Sequence, residues 1–322
     1  MIQRQYFLLF LILIVQACQT TNSEESRYVL LASKKGQVIE QSYTNGATEE
    51  SFHNIQSLTK SLMSVLIGIA IDKGFIESES ATIDQYFPKE YSTLEDARKK
   101  KIRITDLLNQ TSGLSWKGYL EHEDWQKSPD QIGYVLQKKM EADPGTVYNY
   151  NSGATHLLSV ILTKATGKST LDFAKEYLFE PLAISTPQWE LRNDGYHDGS
   201  GLGLSMKGKD LLSIGQLLMQ NGQWNGQQIL SPNWLSKMFD ASHKSPTRWG
   251  IRKSTHGYCW YQGTVNGTLV NYGMGYGGQF IILVPSKELV MVANHEHDTP
   301  NGLDQQIDFL NNKLPGLLEA YN

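Results

Sequence analysis

Ser57-Leu58-Thr59-Lys60-Ser61-Leu62-Met63-Ser64-Val65-Leu66-Ile67-Gly68-Ile69-Ala70-Ile71 is the stretch that decides the fold of this 322-residue chain. From 62 to 71 it is apolar at almost every position, so the helix it predicts has no polar face and must be buried on all sides. Gly74 then stands where a left-handed residue would end it. The first turn holds the only Ser-x-x-Lys of the sequence. Residues three apart share one helix face, so the Lys60 amine can sit one turn from the Ser57 hydroxyl and take its proton. Burial there disfavours the charged form of a lysine, which suits a general base. Composition alone would produce about two such matches, so position at the head of a buried helix is what singles out Ser57 as the nucleophile.

On either side of this helix the periodicity changes. Residues 27–33 and 36–43 are rich in β-branched and aromatic side chains and are joined by Lys34-Lys35-Gly36, a hairpin signal. From 257 the chain reads as an antiparallel meander: 257–265, an Asn266-Gly267 turn, 268–272, 279–284, a Pro285-Ser286-Lys287-Glu288 turn and 289–294. An amphipathic segment over 303–318, interrupted by Pro315, can close one face of it. Between about 80 and 245, helical spacing recurs at 104–108, 130–140, 154–165, 170–178, 206–220 and 232–239, with few strand signals. Strands at both ends with helices between predict an α+β fold, in which one antiparallel sheet is built from both termini and flanked by helices, with a helical insert facing it. Ser231-Pro232 reads as an N-cap followed by proline at the first helical position, so Ser231-Pro232-Asn233 is structural.

The N-terminus carries a separate message. Arg4 precedes an apolar run over 6–15 that is too short for a stable bilayer span, the pattern of a cleaved secretory leader covering 1–17. Val15-Gln16-Ala17-Cys18 resembles a bacterial lipoprotein cleavage box, which would leave Cys18 as an acylated N-terminus; a simple cleaved signal or an uncleaved anchor are the alternatives. Residues 19–26 are polar and suit a flexible tether, with one domain over 27–322. The expectation is an exported protein of a bacterial cell envelope, held to the membrane by lipid. A lipidated Cys18 leaves Cys259 as the sole thiol, so no intramolecular disulfide forms and the core must supply the stability. The formal charge of -4 becomes more negative when Arg4 leaves with the leader, which gives no basis for nucleic-acid binding. The one basic run, Lys99-Lys100-Lys101, reads as a solvated helix end.

A serine and a lysine need a proton partner and oxyanion donors before they make a hydrolase. Pro144-Gly145-Thr146-Val147-Tyr148-Asn149-Tyr150-Asn151-Ser152-Gly153 is a turn running into the helix expected from 154. Tyr150, just before that helix, can shuttle a proton, and Ser152 would face the same cleft. Both could equally be a packing aromatic and an N-cap. Gly273-Met274-Gly275-Tyr276-Gly277-Gly278-Gln279 enters a strand with glycines that permit close approach. A backbone N–H near Tyr276, together with that of Ser57, would form an oxyanion hole; a strain-relieving bulge is the other reading. Trp116, Trp125, Trp249 and Trp260 could shape a pocket, although lone tryptophans more often belong to the core.

Taken in order, Ser57-x-x-Lys60, Ile104-Thr105-Asp106-Leu107-Leu108-Asn109-Gln110-Thr111-Ser112-Gly113-Leu114, Pro144-Gly145-Thr146, Tyr150-x-Ser152 and Gly275-Tyr276-Gly277-Gly278-Gln279 resemble the serine β-lactamase-like superfamily over about 27–312. The branch resembled holds class C β-lactamases, family VIII esterases and 6-aminohexanoate-dimer hydrolases. The resemblance implies a β-lactamase/transpeptidase-like fold with its cleft between sheet and insert. It also implies Ser57 as the acylated residue, Lys60 as base, Tyr150 as proton partner, and Ser152, Tyr276, Gly277 and Gly278 as substrate or oxyanion contacts. Gly201-Leu202-Gly203-Leu204-Ser205 resembles a structural glycine-rich segment of the family. Two departures shape the expected substrate. Class C enzymes resemble Tyr-x-Asn and Lys-Thr-Gly where this chain has Tyr150-Asn151-Ser152 and Tyr276-Gly277-Gly278, so the cation that would bind a β-lactam carboxylate is missing. The expectation is therefore a small-molecule ester, amide or peptide-like substrate, cleaved without metal or organic cofactor. A β-lactamase or D-alanyl peptidase is the alternative, and a non-catalytic tethered binding or sensor protein is a further one.

A metal reading of His295-Glu296-His297-Asp298 lacks a second ligand cluster, so these residues read as a solvated strand end. There is no Gly-x-Ser-x-Gly, and hence no nucleophile elbow of an α/β-hydrolase.

Overall fold

The computed structural model describes residues 27–245, 249–298 and 301–321; the leader, Cys18 and the tether lie outside them. Strands β1 (Tyr28–Lys34) and β2 (Gln37–Thr44) form the N-terminal hairpin, and a short strand β3 (Phe52–Asn54) leads into helix α1 (Leu58–Asp72). The middle of the chain supplies α2 (Pro88–Tyr91), α3 (Ile104–Leu108), α4 (Tyr119–Lys127), α5 (Gln131–Leu136), α6 (Ser152–Thr166) and α7 (Thr170–Ala174). Short strands β4 (Gln188–Trp189) and β5 (Leu204–Lys207) follow, then α8 (Gly208–Met219), a hairpin of β6 (Gln223–Trp224) and β7 (Gln227–Gln228), and α9 (Pro232–Met238). The chain closes with β8 (His243–Lys244), β9 (Thr255–Gly257), β10 (Trp260–Val265), β11 (Thr268–Gly275), β12 (Gln279–Val284) and β13 (Leu289–His295), then α10 (Gly302–Asp308) and α11 (Leu314–Ala320).

The main sheet has the order β2-β1-β13-β12-β11-β10-β9-β8, so strands from the two termini pair inside it, one strand in from the β2 edge. There β1 runs antiparallel to β13, with Tyr28 opposite His295 and Lys34 opposite Leu289. Side chains alternate across a strand, and here both faces are apolar. On one face Ile281, Leu283, Val290 and Val292 join the core of α1 and α8; on the other Phe280, Ile282 and Val284 pack with Phe309, Leu314 and Leu318 of the C-terminal helices. This explains the unbroken apolar run of β12, buried at every position.

Helix α1 lies between the sheet and the central helices, and every residue from Leu58 to Ala70 is buried. Its close approaches need glycine. A Cβ on Gly273 of β11 would sit 2.5 Å from the Leu58 side chain, and one on Gly68 would sit 2.3 Å from the Trp234 indole of α9. Gly74, at φ +76°, follows the helix end as the sequence suggests. The Ser231 cap is also present, its Oγ accepting from Trp234 N at 3.2 Å with Pro232 at the first position of α9.

Several expectations change. Helix α8 covers the sheet itself, where a Cβ on Gly215 would meet Val290 at 2.4 Å. Pro315 does not interrupt the C-terminal segment: a wider π-type turn over Phe309–Lys313 separates α10 from α11. That turn spans Asn311, whose carbonyl the proline ring would otherwise crowd. Lys99 is buried, not solvated, and its Nζ donates to the Leu136 carbonyl at 2.8 Å. His295 is buried as well, because it belongs to β13, an interior strand of the sheet. Trp116, Trp125 and Trp260 are core residues. Two strands, β4 and β5, appear within the stretch read as helix and loop, and join β3 in a small sheet of order β3-β5-β4.

Candidate active site

The small sheet sets the entry to α1. Strand β3 pairs with β5, Ile55 N donates to the Leu204 carbonyl at 2.9 Å, and the Asn54 amide reaches the Leu202 carbonyl at 2.6 Å. Asn54 Oδ1 in turn accepts from Gln56 N at 2.9 Å, fixing the left-handed turn at Gln56 (φ +50°) that swings the chain into the helix. Ser57 occupies the N-cap position, where a serine hydroxyl ordinarily accepts from the first turn. Here it makes no such bond. Its Oγ instead accepts from Lys60 Nζ at 3.1 Å.

Lys60 is buried, with three neighbours around its Nζ: Ser57 Oγ, the Ser200 carbonyl, to which it donates a short hydrogen bond, and the Tyr150 ring, whose centroid is 4.9 Å away. The structure thus brings Ser57, Lys60 and Tyr150 together. Tyr150 precedes α6, whose N-cap is Asn151: its Oδ1 accepts from Ala154 N at 2.8 Å. The capping alternative for Ser152 therefore falls away. Ser152 is the buried first residue of that helix, two positions from Tyr150. Gln110, from the second sequence box, ties this turn down by accepting from Asn151 N at 2.5 Å and offering its own carbonyl to Asn149 N at 2.8 Å.

The glycine-rich segment approaches from the sheet. A Cβ on Gly275 would lie 2.2 Å from the Ile55 carbonyl, so the end of β11 rests against the residues leading into Ser57. Tyr276-Gly277-Gly278 forms the turn into β12, with Tyr276 half exposed at its tip. Gly277 (φ +82°) and Gly278 (φ +93°) adopt backbone conformations suited to glycine. They lean on His297 and His295, and His295 Nδ1 donates to the Gly278 carbonyl at 3.0 Å. These two histidines support the turn; among the described residues, no group of three or more His, Cys, Asp or Glu is arranged to hold a metal ion.

Two parts of the surroundings escaped the sequence reading. One is the loop bearing the Ser200 carbonyl, which acts through its backbone and so leaves no side-chain signature. The other is α4, whose His122 stands near enough to Lys60 to feel its charge: burial, then Lys60, pushes the imidazole down to about 4. Burial likewise holds His256 at about 3, with His243 and Lys60 adding to the effect, and pushes the Cys259 thiol up to about 12. His122, His256 and Cys259 are thus neutral around pH 7.

A sheet built from both termini, with a serine–lysine pair at the head of its central helix, defines the β-lactamase/transpeptidase-like class of fold. The comparisons agree with the geometry. The chain belongs to the Beta-lactamase family, whose model matches residues 26–312. It is 22% identical over 284 residues to the 6-aminohexanoate-dimer hydrolase of Paenarthrobacter ureafaciens, covering 81% of this chain and 70% of that one. A structure from Bacillus anthracis, a candidate 6-aminohexanoate-dimer hydrolase, superposes with a TM-score of 0.75 at 22% identity, over 92% of this chain and 81% of the other. A D-stereospecific amidohydrolase from Streptomyces sp. superposes with a TM-score of 0.67 at 16% identity, over 89% and 94%. The protein is thus a Beta-lactamase-family homologue of hydrolases, and solved amidohydrolase, esterase and β-lactamase structures share its fold.

Proposed function

We propose that this protein cleaves an ester or amide bond of a small or peptide-like molecule through a Ser57 acyl-enzyme. The observation that carries the reading is Lys60 Nζ at 3.1 Å from Ser57 Oγ, with the Tyr150 ring beside the same nitrogen. Ser57 Oγ attacks the carbonyl carbon while Lys60 takes its proton; the oxyanion meets the backbone N–H of Ser57 and one near Tyr276. Collapse expels the alcohol or amine, protonated through Tyr150 and Lys60. Water, deprotonated by the same pair, then releases the acid. Ser152, Gly277 and Gly278 complete the substrate and oxyanion surroundings. The relatives' names favour amides, and the lack of lysine in Tyr276-Gly277-Gly278 removes the cation that would favour a β-lactam carboxylate.

Export and lipidation at Cys18 remain part of the proposal, supported by Arg4, the apolar run over 6–15 and the small residue before the cysteine. Intact-mass analysis of membrane-extracted protein should give a chain beginning at an acylated Cys18.

The functional test is a turnover panel of short-chain nitrophenyl esters, linear amides, D-amino-acid amides and nitrocefin, each with a Ser57→Ala control. Ester or amide turnover that vanishes in Ser57→Ala supports the reading. A profile dominated by nitrocefin transfers it to a β-lactamase.

A further inference from the structure

Building on the Ser57–Lys60 reading above, we infer that Asp198 is a positioning residue: its buried carboxylate shapes the 198–203 loop so that the Ser200 carbonyl pins one N–H of Lys60. A neutral amine has two N–H groups and one lone pair, and a carbonyl oxygen can only accept. The contact with Ser200 therefore occupies an N–H whatever the charge on the lysine. What remains, one N–H and the lone pair, is left for Ser57 Oγ at 3.1 Å and for the side of the nitrogen on which the Tyr150 ring stands, the surroundings a base and proton relay require.

The carbonyl is held from behind. Asp198 Oδ1 accepts from Ser200 N at 2.7 Å and Ser200 Oγ at 2.5 Å, and its Oδ2 accepts from Leu202 N at 2.6 Å and Gly203 N at 2.8 Å. Arg192 stands 3.5 Å from the same carboxylate. Burial alone would raise this acid, but Arg192 and the donors of the loop hold it at about 2. Gly199 N donates to His156 Nδ1 at 3.2 Å, which leaves the ring proton on Nε2, 2.9 Å from Asp194. On the other side, Gly201 (φ +112°) sits so close to the nucleophile that a Cβ there would lie 2.7 Å from Ser57 Cα. The loop is thus clamped between a saturated carboxylate and the head of α1. A stabilising role alone would not require its central carbonyl to face the lysine.

The test is Asp198→Asn, which keeps the shape but replaces one acceptor oxygen with a donor. We expect a folded protein whose ester kcat/KM falls about 10²-fold, the scale of a small misplacement of a reacting group. KM should change little, and the acid limb of the pH profile should shift. The Lys60 15Nζ resonance should also move. An unchanged kcat/KM, or a loss of rate with neither the acid limb nor the resonance displaced, overturns the proposal. If Asp198→Asn does not fold, Asp194→Asn is read by the same criteria. If wild type shows no Ser57-dependent turnover, the functional reading fails, and the resonance alone decides: displaced in the variant it supports the positioning role, unmoved it ends it.

Discussion

Helix α1 carries Lys60 and α4 brings His122 near it, yet the two are built on opposite plans. Along α1 every residue from Leu58 to Ala70 is buried, whereas α4 buries only His122 and Trp125. Trp125 docks α4 on α6, its ring 5.3 Å from that of His156, and the outer face shows Tyr119 and Leu120 at 74% and 73% exposure. The Tyr119 phenol is raised chiefly by Glu123 one turn on, with a smaller contribution from Tyr276 at the tip of the β11–β12 turn. The difference teaches a division of labour. A helix locked into the core on all sides can hold Ser57 Oγ and Lys60 Nζ 3.1 Å apart, while α4, fastened through His122, Trp125 and the contacts of Glu121 with Tyr134 and Lys138, keeps an outer face open to solvent.

The largest effect should come from the reacting pair itself. Lys60→Ala should lower acylation of a good nitrophenyl ester by about 10² to 10⁴-fold, the usual worth of base catalysis; a wild-type rate would break the proposed mechanism. Next is the packing behind α1. Trp234, buried over Gly68 with Nε1 donating to the Ser64 carbonyl at 3.1 Å, should cost about 3 to 5 kcal/mol in urea unfolding when replaced by alanine.

The third effect separates the helices by pH. The folded protein keeps His122 neutral down to about pH 4, while the unfolded chain takes up a proton near 6.5. Between these values the unfolded state binds more protons, so the contribution of His122 is complete above 6.5 and is lost as pH falls toward 4. His256 and His295 act in the same direction. His122→Phe should remove one proton's share of that slope, at most about 1.4 kcal/mol per pH unit. The smallest effect on stability, within about 0.5 kcal/mol, belongs to Tyr119→Ala on the exposed face. If the outer face of α4 meets substrate, the same change should alter the ratio of KM values between short and long acyl esters; an unchanged ratio would mean that this face takes no part in substrate choice.

The same contrast decided what could be read from the sequence. Helix α1 was legible because ten successive positions, 62–71, are almost wholly apolar. The sheet was legible because alternation and an Asn266-Gly267 turn mark its strands. Helix α4 was missed: with two buried residues among nine it has no periodic apolar stripe, and it starts after Gly118 in a conformation ordinary residues avoid (φ +74°). Strands β3, β4 and β5, two to four residues long, are too short for a period to show. Ser57, Lys60 and Tyr150 announced themselves through side chains. The Ser200 carbonyl could not, since every residue has one, and Asp198 looked like any acidic residue among glycines until four donors were seen converging on it. Lys99 and His295 were misjudged for a related reason: polarity suggested solvent, but a buried lysine or histidine is tolerated where a carbonyl accepts its hydrogen bond.

The pairing of β3 with β5 has an evolutionary consequence. It fastens the chain just before the nucleophile to the chain just after the lysine's carbonyl partner, although the two are about 150 positions apart in the sequence. Segments inside that closed circuit can lengthen, shorten or be exchanged at their surface turns without changing the spacing at the knot. Such a scaffold can trade its outer architecture over long lineages while its chemistry stays where it was.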